Sequence, residues 1–142
     1  IDNNTAWGFY TNDCSKSNRM LDYSSVFSAE LTAILYAIRY CREIQSQKIL
    51  ICSDSLSALQ AIQDRRSKNS LVLRIQDEIF ISNNEFTLMW IPSHVGIEGN
   101  EQADELARGA TGKIRDKNKL MMEWRDGKRW LRQGFTISGR TC

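Results

Sequence analysis

The sequence lacks the features that would place the chain in a membrane, in a secretion pathway or among zinc proteins. No apolar run approaches the roughly 20 residues that a membrane-spanning helix needs, and no basic-then-apolar leader opens the chain. Only one histidine is present and the four cysteines form no CxxC pair, so a structural zinc site is not expected. The cysteines fit reduced core residues, which favours an intracellular protein, and the lack of a long apolar run leads us to expect no membrane partner.

Length and composition are those of one globular domain with an uneven distribution of charge. The chain has 142 residues, of which 42% are hydrophobic and 25% charged, and a chain of this length can bury a sizeable core. Residues 1–110 carry 10 Lys and Arg against 14 Asp and Glu, whereas residues 111–142 carry 9 against 3. The acidic part is where a cation site is expected, and the basic part either contacts phosphates or is a solvated linker. We therefore expect a domain over 1–110 and a basic extension or linker over 111–142.

Periodic patterns predict an α/β fold with a mixed sheet. Strands are predicted at residues 6–11, 20–23, 48–52 and 86–91, and helices at 28–44, from Ser55 onward, at 70–81 and at 101–108. The strand at 48–52, KILIC, is apolar throughout, as expected where helices cover both faces of a sheet. Strands that alternate with helices are typical of an α/β layer.

Three carboxylates, Glu30, Asp54 and Asp104, lie where such a fold could bring them together. Asp54 directly follows the apolar strand, at the carboxyl end where sites of open α/β sheets gather. Glu30 is placed in the first turn of one helix, and Asp104 one turn inside another helix that Asn100 would cap. Each alone has an ordinary interpretation as a helix-start, capping or solvated residue. Together they would repel one another unless cations bind, and oxygen ligands suit Mg²⁺ or Mn²⁺.

The segment SHVGIEGNEQAD, residues 93–104, adds the single histidine, His94, to these carboxylates. A loop histidine and a helix carboxylate are parts that a metal-assisted hydrolase needs. Two divalent ions about 4 Å apart could activate a water and stabilise the leaving oxygen of a phosphodiester. Taken alone, His94 is also compatible with a loop histidine bonded to the backbone.

Three segments in order, FSAELTAILYAI, ILICSDSLSALQAI and WIPSHVGIEGNEQADELA, closely resemble type 1 ribonuclease H. Within that family, the three segments are most similar in sequence to the RNase H domains of non-LTR retrotransposon polyproteins. The similarity covers about residues 6–109. The resemblance implies an RNase H-like fold, a DEDD carboxylate set that binds two Mg²⁺ ions, and cleavage of the RNA strand of RNA–DNA hybrids. It also implies a larger polyprotein that contains a reverse transcriptase.

The resemblance assigns roles residue by residue. Glu30, Asp54 and Asp104 match metal-binding catalytic carboxylates, and His94 matches the loop histidine that helps to move protons or release product. The remaining matches contact the substrate backbone or brace the site, and they are Ser53, Ser55 and Asn100.

One departure concerns the family's first aspartate, which stands on the first strand, usually before Gly and Ser or Ala. Here only IDNNT precedes Ala6. Asp2 either belongs to a turn, the first strand being lost by truncation, or is a shortened substitute. A truncated chain would be weak or inactive as a nuclease. Two functions therefore stay open: a ribonuclease H, or a degenerate module that holds the hybrid without cutting it.

Overall fold

The computed structural model describes residues 5–11, 14–21, 24–43, 48–111 and 135–141, the last of these by their backbone alone. The strands are β1 (Thr5–Tyr10), β2 (Ser15–Arg19), β3 (Lys48–Ser53), β4 (Glu85–Trp90) and β5 (Phe135–Thr141). The helices are α1 (Val26–Arg42), α2 (Leu56–Gln63), α3 (Ser70–Ile81) and α4 (Glu98–Thr111). Within these described ranges, no helix combines the length and the hydropathy needed to span a bilayer.

The strands form one mixed sheet in the order β2-β1-β5-β3-β4. β1 pairs antiparallel with β2 and β5, whereas β3 pairs parallel with β5 and β4. Successive residues of a strand face opposite sides of a sheet. Trp7 stacks on Tyr36 of α1 and the neighbouring Gly8 faces α4, so α1 and α4 cover opposite faces of β1. The predicted α/β fold with a mixed sheet flanked by helices is confirmed.

Side-chain caps explain where two of the helices begin. Ser25 Oγ accepts a hydrogen bond from Ser28 N at 3.1 Å, so α1 begins at Val26, two residues earlier than predicted. Ser55 Oγ accepts a hydrogen bond from Ala58 N at 3.3 Å, and α2 begins directly after Ser55, as predicted. Such a cap satisfies an amide donor that has no partner inside the helix and contributes about 1 kcal/mol.

Helix α1 is held between the sheet and α3. Its largest buried aliphatic residues follow the helical period and are Leu31, Ile34, Leu35 and Ile38. Glu78 of α3 accepts hydrogen bonds from Arg39 at 2.9 Å and Arg42 at 2.8 Å. Burial alone would raise the pKa of Glu78, but the bonds and charges of the two arginines outweigh it, so the pKa is lowered. These contacts fix α1, and with it Glu30, relative to the sheet.

The second strand of the first hairpin differs from its prediction. We expected a strand at 20–23 and a turn-rich segment before it, but β2 is Ser15–Arg19 and pairs with β1 along its whole length. Cys14 is joined to Thr11 by a backbone bond of 2.7 Å and by a bond of 2.9 Å to the threonine hydroxyl. Because β2 is an edge strand and all of its residues are at least partly exposed, polar residues are tolerated in it.

Strand β5 lies at the centre of the sheet, between β1 and β3. We expected residues 111–142 to form an extension outside the domain, yet Phe135–Thr141 pairs with a strand on each side. The difference arises because strand pairing joins segments that are far apart in sequence. Residues 112–134 and Asp2 lie outside the described residues, so the boundary at residue 110 and both interpretations of Asp2 stay predictions.

The central position of β5 predicts that a proline at residue 137 destabilises the domain. Ile137 is paired with Phe9 on one side and Ser53 on the other, and proline removes a ladder donor that such a strand needs. We expect Ile137→Pro to lower the free energy of unfolding in urea by more than about 2 kcal/mol. Ile137→Val keeps the donor and is the control. Equal stability of the two variants would contradict the pairing of β5.

Candidate active site

Two of the predicted catalytic carboxylates line one open cleft at the carboxyl end of β3. Asp54 directly follows β3, and Glu30 reaches the cleft from α1. The cleft has a volume of about 510 Å³. Its lining consists of Val26, Phe27, Glu30, Asp54, Ser55, Leu56, Ser57 and Ser93. Glu30 is only 7% exposed, and it lies in the second turn of α1 rather than in the predicted first turn.

Asn100 connects the cleft to helix α4. Its Nδ2 donates a hydrogen bond to Asp54 Oδ2 at 3.3 Å. We predicted that Asn100 caps this helix, but α4 begins at Glu98 because the carbonyl of Ile97 accepts from the backbone amides of Asn100 and Glu101. Asn100 is therefore inside the helix and 1% exposed. Of the two roles implied by the resemblance, bracing the site is the one that this burial supports.

Asp104 lies one turn after Asn100 on α4 and is fully buried. Residues four apart share a helix face, so Asp104 is on the side that Asn100 presents to Asp54. His94 Nδ1 lies 3.7 Å from Asp104 Oδ2, and this contact is an ion pair only when the histidine is protonated. The structure thus links Asp54 to His94 through two residues of one helix.

His94 has a backbone conformation that residues other than glycine rarely adopt. Its φ is 54°, and two residues later Gly96 has a φ of 80°. Such a conformation costs on the order of 1–3 kcal/mol and is concentrated at functional sites. The His94 side chain is 58% exposed, so it is accessible to a substrate while it contacts the buried Asp104.

The two serines that flank Asp54 differ in accessibility. Ser53 is fully buried, and its Oγ accepts a hydrogen bond from Ser55 N at 3.1 Å, which stabilises the turn that presents Asp54. Ser55 is half-buried and lines the cleft, where its hydroxyl also caps α2. Ser55 is therefore the one of the two that can contact a substrate.

The donor chemistry of the cleft fits a hard divalent cation, but the described residues form no complete ligand set. Carboxylate oxygens are the ligands that Mg²⁺ and Mn²⁺ prefer, and Glu30 and Asp54 supply them from one cleft. Among the residues that the structure describes, no three His, Cys, Asp or Glu side chains lie close enough together to hold one ion. The common set of Glu30, Asp54 and Asp104 therefore stays a prediction, supported for its first two members by their shared cleft.

A sequence model of the family described as RNase H matches residues 2–111, more than half of the chain. The chain belongs to the RNase H family. It is thus a ribonuclease H by family, a class of nuclease that binds RNA–DNA hybrids and generally uses divalent metal ions. The matched range ends at Thr111, so β5 lies outside it.

Several residues at the site were not singled out from the sequence. Leu56, Ser57 and Ser93 line the cleft, and only Ser93 carried a signal, since it precedes His94 in the most specific motif. Phe27 and Leu56 give the cleft an apolar rim beside its carboxylates. No periodic pattern could have identified that rim, because it joins the start of α1 to the start of α2.

The bond from Asn100 to Asp54 predicts a measurable loss of stability in Asn100→Ala. The variant leaves the half-buried Asp54 carboxylate without this donor, and removing one partner of such a bond costs about 1–3 kcal/mol. We expect the free energy of unfolding in urea to fall by that amount. Gln102→Ala, on the same helix and half-buried, is the control and should change stability by less than about 0.5 kcal/mol. Equal losses would argue against the bond.

Proposed function

We propose that this chain is the RNase H domain of a retrotransposon polyprotein, an endonuclease that hydrolyses the RNA strand of RNA–DNA hybrids. The observation that carries the proposal is the cleft shared by Glu30 and Asp54, which Asn100 connects to the helix of Asp104. The amino-acid sequences of the three motifs support the further proposal that the polyprotein also contains a reverse transcriptase. Such a protein works inside the cell, in the nucleus or the cytoplasm.

Glu30, Asp54 and Asp104 are the proposed ligands for two Mg²⁺ ions, with Mn²⁺ as a substitute. The ions, when bound, would supply an activated water and stabilise the leaving oxygen of the phosphodiester. Near-complete burial of Glu30 and Asp104 supports this assignment, because a buried carboxylate favours a balancing positive charge beside it.

His94 is proposed to move a proton or to help release product. It is exposed on the loop between β4 and α4, and its contact with Asp104 lets a change in its charge reach the carboxylate site. A positioned histidine is the side chain that most often transfers protons to or from a reacting group.

The substrate is proposed to be recognised through its backbone rather than its bases. A ribonuclease H must detect 2′-hydroxyls in the wide, shallow minor groove of an A-like duplex, and Ser55 offers a small polar group inside the cleft. The exposed basic residues Arg65, Arg66 and Lys68 follow α2, whose first turn borders the same cleft. They would add affinity for phosphates without sequence preference.

The alternative is a degenerate module that binds a hybrid without cutting it. Two observations favour this candidate: no described group of three ligands is assembled, and β5, the central strand, contains no acidic residue. The alternative predicts retained affinity for RNA–DNA hybrids together with no cleavage at any concentration of Mg²⁺ or Mn²⁺.

Cleavage of a labelled RNA–DNA hybrid by Asp54→Asn tests the proposal. The substitution keeps the shape of the side chain but removes the charge that would hold the cation, so we expect a loss of at least about 10²-fold with Mg²⁺. Asp77→Asn makes the same change on an exposed part of α3 outside the cleft and should cleave as well as the unchanged chain. Undiminished cleavage by Asp54→Asn would refute the proposal. Binding without cleavage, both by the unchanged chain and by a longer version that supplies a first strand at the N-terminus, would establish the alternative.

A further inference from the structure

Helix α4 approaches β1 so closely at Gly8 that a side chain fits there only if the helix or the strand moves by a few tenths of an ångström. A Cβ atom on Gly8 would lie 3.0 Å from the carbonyl oxygen of Ala103 and 3.0 Å from the backbone nitrogen of Ala107. It would also lie 3.2 Å from Cβ of Leu106. The first two contacts are with helix backbone, which cannot rotate away as a flexible side chain can. Any residue larger than glycine at this position must therefore move the strand or the helix.

The strand is the less movable of the two. β1 is hydrogen-bonded to β2 on one edge and to β5 on the other, and Gly8 is paired with Ser17 and Ser138. Its neighbours in the strand, Trp7 and Phe9, are buried in the core beneath α1. α4, in contrast, rests on the sheet through small residues, since Ala103, Ala107 and Ala110 are fully buried. A Cβ at Gly8 would consequently push α4 away from the sheet by a few tenths of an ångström.

The close contact lies next to the carboxylate end of the site. Ala103 directly precedes Asp104, and Asn100, the partner of Asp54, is one turn earlier on the same helix. A shift of α4 at Ala103 and Ala107 therefore changes the position of Asp104 relative to Asp54. Asn100 moves with the helix, so its bond to Asp54 would be displaced by the same shift.

We infer that Gly8 is a positioning residue of the active site: the absence of its side chain sets the depth at which α4 presents Asp104 and Asn100 to Asp54. The inference rests on the proposed function, because it concerns the cation that these carboxylates would share. Gly8 is not one of the residues that line the cleft, so its effect is transmitted through the helix. It lies in regular strand backbone without a positive φ, so alanine there differs from glycine mainly by the steric contact.

The test is a Mn²⁺ titration of Gly8→Ala, read both as the rise in melting temperature and as the rate of hybrid cleavage. We expect the Mn²⁺ concentration for half of the maximal effect to rise severalfold in both readouts, because the helix moves by a few tenths of an ångström and a displacement of about 1 Å at a site costs about 10²-fold. Ala107→Val enlarges the helix side of the same contact, should shift the titration in the same direction, and serves if Gly8→Ala does not fold.

Ile75→Val is the control for stability alone. Ile75 is buried in α3 on the far side of α1, so its truncation lowers stability without touching α4 and should leave the Mn²⁺ concentration for half-effect unchanged. A folded Gly8→Ala or Ala107→Val that titrates like the unchanged chain would overturn the inference and leave the proposed function standing. An unchanged chain that responds to Mn²⁺ in neither readout would overturn both.

Discussion

The backbone pairing of β5 with β1 and β3 is the interaction on which the rest of the structure depends. β1 and β3 are not neighbours, and within the described residues β5 alone lies between them. β1 is the surface on which α4 rests, whereas β3 leads directly to Asp54. Pairing on both edges of β5 therefore fixes the distance between the helix that carries Asp104 and the strand that ends at Asp54. The relative position of Asp54 and Asp104 therefore depends first on the order of the strands in the sheet.

Polar partners near the carboxyl end of β3 reduce the free-energy cost of burying the carboxylates there. Asn100 donates to Asp54, and His94 contacts Asp104 from the solvent side. Oδ1 of Asn100 is among the buried acceptors that have no hydrogen-bond partner within the described part of the chain. Buried polar groups normally have partners, and an oxygen in this position suits an ordered water beside the proposed cations. Polar donors thus already lie beside these carboxylates, and the proposed cations would add positive charge at the same place.

Local sequence patterns predicted the helices and strands that carry the site. The features that these patterns did not predict depend on specific hydrogen bonds or on pairing between distant segments. The unbroken apolar run before Asp54 indicated β3, and the helical period around Glu30 indicated α1, because burial on known faces imposes those patterns. The start of α4 was missed by three residues, since Ile97 O rather than the Asn100 side chain satisfies the first amides. β5 was not predicted as a strand of this sheet, because its pairing partners lie some eighty or more residues earlier in the chain.

The most direct measurement is anomalous scattering from crystals grown with saturating Mn²⁺. If the carboxylates converge as proposed, a strong peak lies in the cleft within about 2.0–2.3 Å of oxygens from Glu30 and Asp54. Well-ordered Mn²⁺ peaks confined to other surfaces, with none between these two side chains, would contradict the account.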